Sequence, residues 1–222
     1  MAAKDSPTRG VFITLEGIEG AGKSSCIPLM KKYLSRHQSQ LVVTREPGGT
    51  DLAEAIRDLV LGISHRDTVE TPTSETEALL MFAARAQHLG RIIRPALERG
   101  DWVICDRFTD ATIAYQGGAR GLGVDKILTL ANWVHADLWP DLTLFFDVSV
   151  ATGSERASRR GPRDRIERER QDFFKDVRNA YLELASRFPQ RIRRIDAERS
   201  IASVGKQVEI ELERFIAERE AQ

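Results

Sequence analysis

Gly17-Ile18-Glu19-Gly20-Ala21-Gly22-Lys23-Ser24 is the stretch on which the reading of this chain turns. It fits G-x-x-x-x-G-K-[ST], a loop whose glycines let backbone N–H groups converge on phosphate oxygens. The lysine of such a loop reaches the outer phosphates, and its hydroxyl can ligate Mg2+. The flanks agree. Val11-Phe12-Ile13-Thr14-Leu15 before it is a short apolar run of the kind a buried parallel strand requires. After it, Ile27, Leu29, Met30, Tyr33 and Leu34 recur at about helical spacing, so the loop opens a helix whose N-terminal dipole favours anions. A glycine-rich turn arising by chance would not bring strand, loop and helix in that order. A nucleotide phosphate site is expected from Gly17 through Ser24 and Ser25.

Outward from the loop, strands and helices alternate. Leu41-Val42-Val43-Thr44 is a second short strand, ended by Arg45-Glu46-Pro47-Gly48-Gly49-Thr50. Pro-Gly-Gly forces a turn there, and Thr50 or Asp51 can cap a helix running through Ile56, Leu59 and Val60. A polar loop over 63–74 leads to a long helix over 75–98, with Leu79, Phe82, Ala86, Leu89, Ile93 and Leu97 on one stripe and Arg85 at its edge. Pro95 is expected to kink that helix or end it early. Trp102-Val103-Ile104-Cys105 is a third strand, running straight into Asp106-Arg107. A glycine-rich stretch over 117–123 precedes a helix to about His135, and Leu142-Thr143-Leu144-Phe145-Phe146 is a fourth strand. Residues 150–172 are strongly charged and rich in arginine. A helix to about Phe188, a short strand at Ile192–Ile195 and a helix through Val204, Val208, Leu212 and Phe215 complete the chain. Five such alternations imply an α/β fold of the P-loop NTPase kind. Its five-stranded parallel sheet would be flanked by helices on both faces, with the ligand site at the strands' C-terminal ends.

Length and charge narrow the classes. At 222 residues the chain suits a single domain over 1–222, with a flexible tail over 1–9. Lys+Arg and Asp+Glu are both 33, so no global basic surface advertises nucleic acid. Cys26 and Cys105 are too isolated for a zinc site and read as reduced structural thiols. The polar stretch from Met1 to Gly10 lacks the apolar core of a signal peptide, and nothing approaches the ~20 apolar residues of a membrane helix. The expectation is a cytoplasmic protein with neither membrane nor nucleic acid as partner.

A phosphate loop alone does not separate kinases from ATPases or GTPases. Neither Asn-Lys-x-Asp, which would read guanine, nor Asp-x-x-Gly, which would sense a γ-phosphate, is present. Arginines stand at strand ends instead: Arg45 after the second strand and Arg107 after the third. Guanidinium forks match phosphate oxygens and stay charged near neutral pH. One such arginine is more often a surface or capping charge, but two at strand ends beside a phosphate loop argue for a second phosphate site. Asp106 sits where a strand-end aspartate can orient Mg2+, directly or through its waters.

These segments together carry a resemblance. Leu15-Glu16-Gly17 through Lys23-Ser24, Thr44 through Thr50, Leu80-Met81-Phe82-Ala83-Ala84-Arg85, Asp106-Arg107-Phe108 continuing to Ala114-Tyr115-Gln116-Gly117-Gly118, and Arg163-Asp164-Arg165-Ile166-Glu167 with Phe173-Phe174 are similar to bacterial thymidylate kinase. They occur in order over about residues 10–215. The resemblance implies transfer of the ATP γ-phosphoryl to dTMP, giving dTDP and ADP, with Mg2+ as cofactor and a homodimer as the assembly. It implies that Lys23 and the loop hold ATP phosphates, that Ser24 ligates Mg2+ and that Glu19 faces the deoxyribose 3′-hydroxyl. Arg45 and Arg107 match the arginines gripping the dTMP phosphate, and Arg85 the one reading a thymine carbonyl. Thr112 and Gln116 match positions on the other base edge, and Tyr115 would close on the sugar.

In one respect the chain departs from the family. Many relatives place a phenylalanine four residues before the arginine, to stack on thymine; here that slot is Met81 and Phe82 follows it. Phe82 is taken as the stacking ring after a small helix rotation, with Met81 as the softer alternative platform. The basic stretch within about 150–172 is either a solvated helix face or a mobile lid whose arginine meets the phosphoryl group in flight. The loop itself carries no arginine, so by the family's logic the lid supplies it, from Arg156 or Arg160; Ser158 stands where some relatives have another. A related nucleoside or nucleoside monophosphate kinase and a nucleotide-dependent switch or regulatory binding module are the competing readings.

Overall fold

The computed structural model describes residues 9–38, 40–63, 70–159, 161 and 164–221. Five strands, β1 (Phe12–Glu16), β2 (Leu41–Arg45), β3 (Trp102–Asp106), β4 (Leu142–Asp147) and β5 (Ile192–Asp196), form one sheet in the order β2-β3-β1-β4-β5, every pairing parallel. β1 is central and wholly buried. Its alternation decides why both faces must be covered: Val11, Ile13 and Leu15 pack into one core, while Phe12 joins Val103, Cys105 and Phe108 in another. The register sets the site. Leu15 of β1 lies opposite Asp106 of β3, and Asp106 lies opposite Arg45 of β2, so three strand ends open onto one crevice.

The helices are α1 (Lys23–Leu34), α2 (Asp51–Leu61), α3 (Ser74–His88), α4 (Arg94–Glu98), α5 (Thr109–Thr112), α6 (Val124–His135), α7 (Val150–Ser158), α8 (Gln171–Arg187) and α9 (Ile201–Glu220). Thr50 is the cap of α2, its hydroxyl accepting from the Ala53 N–H at 3.2 Å. α3 and α4 make one long rod joined by a π-helical turn, Leu89–Ile93. Pro95 does not end the rod early: the helix continues past it to Glu98, directly after the π-helical turn.

One expectation for this region is corrected. Leu79 is 55% exposed and Ala86 also faces solvent. The buried face runs through Ala78, Met81, Phe82, Arg85, His88 and Leu89, because polar side chains that pair internally share it. The glycine-rich stretch after Gln116 begins inside a helix. A π-helical segment, Ile113–Ala119, extends α5, and a Cβ on Gly118 would stand 3.1 Å from Ala180 of α8. Among the described residues no helix is long and apolar enough to cross a membrane.

Candidate active site

The phosphate loop leaves β1 and curls over the mouth of α1. Gly20 takes a left-handed φ of 75°, and a Cβ there would lie 2.0 Å from the Gly153 carbonyl oxygen, so only glycine fits. Lys23 Nζ donates to the carbonyls of Gly17 at 2.9 Å and Ile18 at 3.1 Å. Burial, and then the neighbouring charge of Arg107, push its pKa down to about 8. The sign of this shift is testable. A lysine whose pKa is depressed by folding carries less than its full charge near pH 8, and bound phosphates would raise that pKa again. Nucleotide binding is thus expected to take up about half a proton at pH 8 and almost none at pH 6.5. Titration calorimetry in buffers of different ionisation enthalpy checks this; equal uptake at both values would contradict it.

At the end of β3, Ser24 Oγ donates to Asp106 Oδ2 at 3.3 Å, while Asp106 Oδ1 is buried without a hydrogen-bond partner. Arg107 follows in the left-handed region at φ 72°, costly for a residue with a Cβ and held by its surroundings. Its N–H donates to Leu15, Cys105 Sγ donates to its carbonyl, and the next N–H, of Phe108, donates to Glu16 Oε1 at 2.7 Å. Arg107 Nη2 then donates to Glu19 Oε1 at 2.7 Å and Nη1 to Tyr181 Oη at 3.3 Å. The Tyr115 hydroxyl donates to the other Glu19 oxygen at 2.8 Å. Glu16 also accepts from Tyr181, and burial, then the charge of Asp110, push its carboxyl up to about 8.

Arg45 lies at the rim, its Nη2 on Glu54 Oε2 at 2.8 Å, and Arg57 donates to the Pro47 carbonyl at 3.0 Å. Glu19, Lys23, Arg45, Arg57, Asp106 and Arg107 all line one cavity of about 510 Å3, together with the loop from Gly20 to Ser25. The expected convergence of Arg45 and Arg107 on the phosphate loop is what the structure has.

A smaller cavity of about 60 Å3 shares Glu19, Arg57 and Arg107 with the first and extends to Met81, Tyr115 and Gln116. Met81, not Phe82, is on its wall. Phe82 turns inward, with the Arg85 guanidinium 4.8 Å above its ring, because Met81 and not Phe82 shares the cavity-facing side of the helix. Arg85 and Thr112 stand one layer behind the wall. Arg85 Nε donates to Glu46 Oε2 at 2.7 Å and Nη2 to Thr112 Oγ1 at 3.0 Å, while Nη1 is buried without a partner. His88 completes the group, bridging Glu46 at 3.0 Å and Thr44 at 2.7 Å.

Arg156 lines the main cavity, but its Nη1 donates to the Ala197 carbonyl at 2.7 Å. It also lines a third cavity of about 240 Å3 between α1 and the turn before α9. Arg160 and Arg163 lie outside the described residues.

Sequence reasoning missed Glu16, Glu46, Arg57, His88 and Tyr181 as parts of this machinery. Only Glu16 carried a usable signal, an acid closing an otherwise apolar central strand.

A family model described as thymidylate kinase matches residues 15–208 of the chain. The chain belongs to the thymidylate kinase family. It is 53% identical over 201 residues to a thymidylate kinase of Nitrosospira multiformis, covering 90% of this chain and 96% of that one. With a thymidylate kinase of Alkalilimnicola ehrlichii it shares 56% identity over 199 residues, 89% of each. A crystal structure of a thymidylate kinase family member from Ehrlichia chaffeensis superposes with a TM-score of 0.72 at 34% identity, covering 92% of this chain and 99% of that one. The five-stranded parallel sheet is therefore that of the P-loop NTPases, as membership of the thymidylate kinase family requires.

Proposed function

We propose that the residues around these cavities carry the thymidylate kinase reaction: transfer of the γ-phosphoryl of ATP to dTMP, giving dTDP and ADP. The observation that carries the assignment is the meeting on one cavity of Lys23, at the start of α1, with Arg45 and Arg107 at the ends of β2 and β3. The acceptor is itself a phosphate monoester, close to dianionic near neutral pH, so the reaction demands charge neutralisation more than a general base. Lys23 and the loop amides from Gly17 to Ser25 hold the ATP phosphates. Arg45 and Arg107 grip the dTMP phosphate and orient its oxygen for in-line attack. Glu19 and Tyr115 face the sugar. Met81 is the platform for the base, with Gln116 on its edge and Arg85 and Thr112 behind. The unmet donor at Arg85 Nη1 and the unmet acceptor at Gln116 Oε1 support that placement. The third cavity, which shares Ala21, Gly22 and Ser25 with the main one, suits the ATP base.

The donor set fits Mg2+: Ser24 Oγ beside Asp106, whose Oδ1 is an orphaned buried acceptor. Bound there, Mg2+ would neutralise charge on the ATP phosphates, with Ser24 a direct ligand and Asp106 direct or water-mediated. A homodimer is proposed too, supported by Leu52, Leu59 and Leu79 exposed on α2 and α3, which pack side by side; sedimentation as a monomer would contradict it. The free buried thiols of Cys26 and Cys105 fit a reducing, cytoplasmic setting.

The stretch from Arg156 to Arg160 is assigned as the lid that supplies the catalytic arginine. For Arg156 this means exchanging the Ala197 carbonyl for the phosphoryl group. Replacing both Arg156 and Arg160 by alanine is expected to lower kcat by about 10³-fold with dTMP binding little changed. Wild-type turnover in both single variants and the double would remove the lid from the chemistry.

A further inference from the structure

Glu77 has no role in the site as built so far, yet its carboxyl is only 1% exposed. It stands in the first turn of α3 and collects donors from two other parts of the chain. Gln116 Nε2 reaches Oε1 at 2.7 Å, and Arg120 reaches both oxygens at 3.3 Å. Arg165 Nη2 closes on Oε2. Burial works to raise its pKa, but the bonds from Gln116 and Arg165 and the charge of Arg120 outweigh it and hold the carboxyl below its usual range. An ionised carboxylate only accepts hydrogen bonds. Gln116 must therefore turn its NH2 group toward Glu77, which leaves its carbonyl oxygen as the group on the base side. That Oε1 is buried without a partner, and Gln116 lines the inner cavity.

The same carboxylate anchors the segment 164–170 between α7 and α8. Arg165 is tied to α2 as well, its backbone N–H on the Leu61 carbonyl at 3.0 Å and its Nε on the Val60 carbonyl at 2.8 Å. Arg120 extends a third donor, Nη1, to Glu169 at 2.7 Å. Asp164 and Glu167 of this segment line the main cavity.

We propose that Glu77 is a positioning residue that sets base specificity: it holds the Gln116 amide with only an acceptor facing the base, and it makes that orientation depend on segment 164–170 being docked. The inference rests on the reading of Gln116 as a base contact. A pyrimidine with a protonated N3, such as thymine, offers a donor to that oxygen. Cytosine offers a lone pair at N3, so two acceptors would face each other with neither satisfied. A glutamine amide that is free to flip loses this discrimination, because its two ends differ little in shape.

The test compares kcat/KM for dTMP and dCMP. Glu77→Gln keeps the shape but can itself present an NH2 group, letting Gln116 turn over. The dTMP:dCMP ratio is expected to fall by about 10-fold or more, with dTMP KM rising. A merely structural loss would lower both substrates together and leave the ratio alone. Arg165→Gln removes the segment's hold while keeping Glu77 and Gln116, and a smaller fall of the same sign is expected. Wild-type ratios in both variants, each verified as folded by thermal melting and ATP titration, overturn the proposal. If Glu77→Gln does not fold, Glu77→Asp reads the same ratio with the carboxylate drawn back by one methylene; there too an unchanged ratio overturns it. Gln116→Ala separates the two levels. If it leaves the ratio intact, the reading of Gln116 fails. If it lowers the ratio while Glu77 and Arg165 variants do not, only the role of Glu77 fails.

Discussion

Replacing Arg107 by alanine is expected to reduce kcat/KM for dTMP by about 10³-fold, near the loss seen when a transition-state arginine is removed from a phosphoryl-transfer site. The side chain presents its fork into the main cavity from a backbone held at φ 72°, braced by Glu19 on one nitrogen and Tyr181 on another. Its removal does more than delete a cation. It leaves Glu19 without its ion-pair partner beside the place where a dianionic acceptor must sit. Arg107→Lys keeps the charge but not the two-pronged geometry, so recovery of no more than about tenfold is expected. ATP affinity, read by titration, should change only a few-fold. A variant within tenfold of wild type, or one that loses ATP binding as heavily as dTMP turnover, would show that Arg107 does not grip the acceptor phosphate.

Arg85→Ala is expected to have two separable effects. The first is on recognition: dTMP KM should rise about 10- to 100-fold, the range for losing a hydrogen bond from a charged donor, with discrimination among pyrimidine monophosphates weakened. The second is on stability. Arg85 and Glu46 are a buried ion pair, 1% and 3% exposed at their side chains, and the alanine leaves Glu46 with His88 alone. Breaking such a pair from one side costs about 3 to 5 kcal/mol, so the melting temperature should drop by roughly 10 °C. Equal losses for every nucleotide acceptor, with the same fall in melting temperature, would reduce Arg85 to a structural role.

What could be read in advance follows from how local each feature is. The phosphate loop, its strand and its helix are contiguous, so period and glycine spacing were enough. Arg45 and Arg107 were legible because each ends a short apolar run, and parallel topology sends such ends to one edge. The order β2-β3-β1-β4-β5 was not legible, since it depends on pairings between distant segments that no local pattern encodes. The long helix shows the same limit from another side. Hydrophobicity alone set its inward stripe on Leu79 and Ala86, but Arg85 and His88 are buried through their bonds to Glu46, and Glu77 through its own partners. A polar residue whose partner is 39 positions away in the chain looks, from sequence, like any solvated charge. Met81 illustrates the converse: the four-residue spacing to Arg85 already put it on the cavity side, and preferring the aromatic Phe82 set that geometry aside. Neither π-helical turn had a local signature.

The two cavities, joined through Glu19, Arg57 and Arg107, are proposed to unite an ATP phosphate loop with a thymine-reading acceptor site. A coupled assay of ADP release with Mg-ATP and a panel of nucleoside monophosphates tests this most directly. ADP formation is expected to depend on dTMP, to be weaker with dUMP and to be absent with CMP or AMP. One slow rate of ADP release whatever the acceptor would contradict it, leaving a nucleotide hydrolase or switch on the same fold.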